Sequence, residues 1–175
     1  GATASLRAGQ RCNVGGTLSG AGNLTFYSPY VRADVTANWS AFRGILYVTT
    51  NDDGGDFRIN SGYSMPYAEV NLGAGVYAYN QAGTTVRIGA LSGSGTLAGS
   101  HGWDIGSKDT NSVFTGSITA TGTIRKVGSG NLTLGSNQSY TSATLVDGGR
   151  LIVNGSFTAP VTIKSGAVLG GSGNL

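Results

Sequence analysis

Three aspartates fall within five residues in the stretch NDDGGD, at Asp52, Asp53 and Asp56. Carboxylates this close can do two kinds of chemistry. A pair flanking a glycosidic bond supplies the acid and base, or the nucleophile, of a glycosidase. Three together offer the oxygen ligands that calcium takes. The same residues also suit a tight turn, in which Asn and Asp bond to the local backbone and Gly54 and Gly55 make the bend; this reading is favoured. No Lys or Arg cluster stands beside them to act as a lyase base. A Ser-His-Asp arrangement would have to use His101, the only histidine, and no GxSxG accompanies it. Cys12 is the only cysteine, so neither a disulfide within the chain nor a Cys/His zinc spacing exists.

Aromatic residues are the second candidate, and most lie before residue 81. In GVYAYNQ, Val76 and Ala78 suit an interior, so Tyr77 and Tyr79 share the outward face about 7 Å apart. By the same parity Tyr47 points out between Leu46 and Val48. Outward residues of stacked strands stand side by side, so a flat strip of rings along the stack is expected. Sugar rings present apolar C–H faces to such planes. Arg58, Glu69, Asn71 and Arg87, outward by the same count, supply hydrogen bonds to hydroxyls, and Trp39 and Trp103 complete the candidate surface. The plainer alternative is that the tyrosines only cover a sheet and the tryptophans cap a coil or pack under a loop.

Charged residues make up 11% of the 175, under half the usual share, and the net charge is +3 from 11 basic and 8 acidic side chains. Only Arg125 and Lys126 are adjacent. Nucleic-acid binding needs clustered cations and membrane-surface binding needs a basic amphipathic helix, so neither partner is expected. The 31 glycines precede no helix and no GK[ST], which removes the phosphate-cradle reading and leaves glycine as a corner former.

The elements that must position these residues repeat. The phrase GAGNL at 20–24 returns as GSGTL at 93–97 and GSGNL at 128–132 and 171–175, intervals of 73, 35 and 43 residues. Unequal spacing fits a solenoid whose loops vary in length. FRG at 42–44 and FTG at 114–116 each lead into a strand-like run. Between glycines, aliphatics alternate with polar residues at Leu24 and Phe26, Leu46 and Val48, Leu132 and Leu134, and Val161 and Ile163, a period-two strand pattern with one face buried. NG and DG turns are too few to organise an antiparallel meander. The expected fold is all-β, a right-handed parallel β-helix of about 7–8 coils, forming one domain over 1–175.

The segment KVGSGNLTLGSNQSYTSATLVDGGRLIVNGS at 126–156 is similar over its length to the passenger-associated repeat of bacterial autotransporters, through Lys126, Gly128, Gly130, Leu132, Asn137, Tyr140, Thr144, Gly148, Leu151 and Val153. The likeness covers about 113–175 and implies a right-handed parallel β-helix on an exported protein. Residues 1–89 depart from it, and the mixture also resembles the β-helical xylan-binding module, carbohydrate-binding module family 89. That resemblance implies a polysaccharide partner, xylan favoured, and a tethered catalytic domain.

Together these readings predict a non-catalytic, monomeric carbohydrate-binding module, cut from a longer secreted or cell-surface bacterial protein, with no cofactor and calcium as an alternative at Asp52, Asp53 and Asp56. A structural or adhesin segment of an autotransporter passenger is the main rival, and a polysaccharide lyase or hydrolase the third.

Overall fold

The computed structural model describes residues 3–51 and 53–174. Among the described residues there are 21 strands and no helix, and the strands pair in parallel throughout. The fold is a β-solenoid of about eight turns.

Each turn lays strands on three faces in succession. In the first turn these are Thr3–Arg7, Cys12–Val14 and Thr17–Gly20. The next turn places Asn23–Tyr27, Ala33–Val35 and Asn38–Phe42 directly on them. Turns vary in length, from 24 residues between the stacked Leu46 and Val70 to 17 between Thr144 and Val161. Two strands, Met65–Leu72 and Val86–Gly93, run round the corner from the third face onto the first, and a register shift between Ile88 and Ala90 absorbs the bend. That corner is why the first face and the later strands of the third join into one 13-stranded sheet, while Thr17–Gly20 and Asn38–Phe42 pair with each other alone and the second face stays a separate six-stranded sheet.

The recurring phrase serves two different corners. At 20–24 and 128–132 it turns the chain onto the first face, into Asn23–Tyr27 and Asn131–Leu134. At 93–97 it turns the chain onto the second, into Thr96–Gly99, and Gly173 likewise lies over Gly155. The intervals are unequal because the phrase switches corner and because the first spans about three turns and the other two about two each. The Phe-x-Gly half-phrases also encode corners. Each ring tucks under the glycine two residues on, so that a Cβ on Gly44 would stand 2.9 Å from Phe42 Cζ, and one on Gly116 2.7 Å from Phe114 Cζ.

Inside runs one column of aliphatic and aromatic side chains, continuous from Leu24 to Ala159. Leu24 stacks on Leu46, then Val70, then Leu91, as period-two alternation and equal register require. Burying such ladders drives the folding of a chain with no disulfide. Val161 and Ile163 depart from the expected alternation. Their strand pairs on one side only, with Thr144–Val146, and Ile163 is 46% exposed.

Candidate functional site

The second face carries the site. On the strand Val76–Asn80, Val76 and Ala78 are buried while Tyr77 and Tyr79 project outward, as the alternation predicts. Their rings stack with centroids 6.2 Å apart and planes 15° apart, and Tyr77 is 45% exposed. Offset stacking of this kind holds each ring against rotation and leaves apolar area facing water.

The neighbouring strand Gly55–Ile59 lies one turn back, pairing Asp56 with Tyr77 and Arg58 with Tyr79. Arg58 closes on the Asp56 carboxylate through Nε at 2.7 Å and Nη2 at 2.6 Å, a two-point charge-assisted contact. Its guanidinium carbon also lies 5.3 Å from the centre of the Tyr79 ring, within cation–π range. The hydrogen bonds it donates to Asp56 hold the Arg58 pKa above its ordinary value, and burial, followed by the Asp56 charge, pushes the Tyr79 phenol up. Both groups keep their usual neutral-pH charge states.

Asp56, Tyr77 and Tyr79 form one wall of an open groove of about 590 Å³, lined also by Tyr30, Val31, Asp53, Gly54 and Gly55, with Arg58 beside it. The two sequence candidates, the aspartate turn and the tyrosine pair, therefore meet in one place. Asp53 and Asp56 take part; Asp52 lies outside the described residues. Among the described residues no group of three or more His, Cys, Asp or Glu side chains is placed to hold a metal ion.

Tyr30, 69% exposed, and Val31 are groove residues the sequence reading did not single out. A signal existed: Tyr30, Asp53 and Tyr77 are spaced by about one coil, so the loop before the second face recurs at the same height on successive turns.

The remaining candidates are dispersed. Tyr47 stands on the first face between Thr25 and Asn71, and Glu69 on the same face accepts from Ser92 Oγ at 2.5 Å. Arg87 is on the third face, where it starts a ladder of alternating charge: Arg87 with Asp104 at 3.0 Å, Arg125 between Asp104 and Asp147, and Lys164 on Asp147 at 2.9 Å. The expected strip of rings along the stack is not present, because the axial neighbours of Tyr77 are Asp56 and Thr96, and those of Tyr79 are Arg58 and Ala98. The aromatic pair runs along a single strand.

Trp39 and Trp103, expected on the binding surface, are 4% and 1% exposed and offer no ring to a ligand. Trp39 packs in the column against Phe57, ring centres 6.4 Å apart, and Trp103 donates its indole N–H to the Ala98 carbonyl at 3.1 Å. Both belong to the close-packed column, where their large apolar area is removed from water.

Comparison with models of known protein families, with curated protein sequences and with solved structures found no match to this chain.

Proposed function

We propose that the chain is a non-catalytic carbohydrate-binding module of a secreted or cell-surface bacterial protein, one that holds an extended plant cell-wall polysaccharide, xylan favoured, near a tethered glycoside hydrolase. One observation supports this reading above the others: a stacked, half-exposed Tyr77–Tyr79 pair in an open groove edged by the carboxylates of Asp53 and Asp56. Sugar C–H faces stack on such rings, and sugar hydroxyls donate to such carboxylates. The likeness of 126–156 to repeats of exported bacterial proteins supports the location. The open shape suits a chain passing through, and ordering a flexible glycan consumes much of the contact energy, so a Kd of roughly 10 µM to 1 mM is expected. The reading requires no metal and no second copy.

Catalysis draws little support from the groove, since the Asp56 carboxylate is closed on by Arg58. A spacer role is the second reading. It is favoured for the turns after Ser112, whose outward positions are mostly short polar residues such as Ser117, Thr119, Thr121, Ser139 and Thr141.

Affinity gel electrophoresis on xylan tests the main reading. The parent should be retarded, and the double variant Tyr77→Ala, Tyr79→Ala should migrate as in a glycan-free gel with an unchanged melting temperature. Equal retardation of parent and variant removes this groove as the site.

A further inference from the structure

We infer that the groove selects an uncharged polysaccharide and turns away chains that carry carboxylates. The inference rests on the groove being the glycan site proposed above. Its charges carry the argument. Arg58 is the cation beside the two rings, and both its Nε and its Nη2 are already bonded to Asp56. That carboxylate occupies the Nε–Nη2 edge of the guanidinium and balances its charge. Further along the same face, Asp34 accepts from Arg32 Nε at 2.6 Å and from the Asn60 amide, so that pair is neutral as well.

Asp53, exposed on the groove lining, has no ion-pair partner among the described residues. The groove therefore carries an unbalanced negative charge. An uncharged sugar chain complements it, because its hydroxyls donate and an ionised carboxylate only accepts. A polyuronate presents one carboxylate per residue to a site where the cation is spoken for, and like charge placed against Asp53 opposes binding. The opposition acts through solvent and weakens as salt rises.

The test compares retention of the whole chain in gels holding uronate-free arabinoxylan or polygalacturonate, with a chelator present, at about 20 mM and about 500 mM sodium chloride. Polygalacturonate should be held at least tenfold more weakly at low salt, with the gap narrowing at high salt. Asp53→Lys should narrow the gap at low salt. Polygalacturonate held as well as arabinoxylan, or more weakly as salt rises, overturns the inference while leaving a glycan site in place. Retention on neither gel overturns both this inference and the reading beneath it.

Discussion

The Lys126 ammonium donates to the Gly148 carbonyl, one turn away, at 3.1 Å. It also donates to the carbonyls of Val127 at 2.7 Å and Gly128 at 3.0 Å, and the side chain is 1% exposed. A cation is thus sealed into the corner that the recurring phrase forms, spending all three protons on backbone oxygens that the sharp turn leaves without partners. Burial holds its pKa below the ordinary lysine value, partly opposed by Asp109.

Lys126→Met keeps the stem of the side chain and removes the charge, leaving three carbonyls unpartnered. It should destabilise the chain by about 2–4 kcal/mol in urea unfolding. Lys164→Met, which removes an exposed ion-pair partner of Asp147, should change stability by less than about 1 kcal/mol. Similar losses from the two variants would mean that the Lys126 cage contributes no more than a surface pair.

The tryptophans and tyrosines should separate cleanly by measurement. Trp103→Ala opens a cavity in the column and should cost about 3–5 kcal/mol in urea unfolding. Tyr77→Ala, at an outward position, should stay within about 0.5 kcal/mol of the parent. Glycan retention should follow the opposite order for whatever fraction of each variant is folded. A stable Trp103→Ala variant would contradict the core placement.

Much of the fold was legible because a strand face repeats every two residues, and Leu24, Leu46, Leu132 and Leu151 all lie where that period puts them. The outward direction of Tyr77 and Tyr79 followed from the same rule. Parity, however, gives only in or out and says nothing about which of three faces a strand occupies. For that reason parity alone does not separate Tyr47, Arg58 and Arg87, which stand on three different faces. Residue type misleads for Trp39 and Trp103, which parity leaves open and the column buries. The meeting of Asp53 with Tyr77 depends on coil length, and coil length varies between 17 and 24 residues along the chain.

Close approach of turns makes Gly116 a sharp test of the stacking. A Cβ built there would stand 1.9 Å from the Gly95 carbonyl oxygen, a backbone atom that cannot swing aside. Gly116→Ala must push two turns apart and should destabilise by about 1–3 kcal/mol, seen as a lowered melting temperature. Gly9→Ala meets nothing within 4 Å and should be neutral or slightly stabilising. If the two variants melt together, the turns are not stacked this tightly at the Phe-x-Gly corner.

Tyr140 gives the solenoid an alkaline limit. Its ring is buried edge-on against Phe157, centres 5.4 Å apart, and its hydroxyl shares a 2.7 Å hydrogen bond with Thr144. Burial pushes the phenol up to about 12, with the Thr144 bond opposing in part. In the unfolded chain the phenol ionises near its ordinary value of about 10. Between these values the folded state holds the proton and the unfolded state has lost it, so stability falls as pH rises. The contribution is complete below about pH 10 and fades toward pH 12, roughly 2–3 kcal/mol in all. Tyr140→Phe has no proton to lose. Urea unfolding across this range should therefore show the parent losing stability more steeply than Tyr140→Phe, with tyrosinate absorbance rising as the parent unfolds. Parallel pH profiles for the two proteins would show that the Tyr140 phenol does not set the limit.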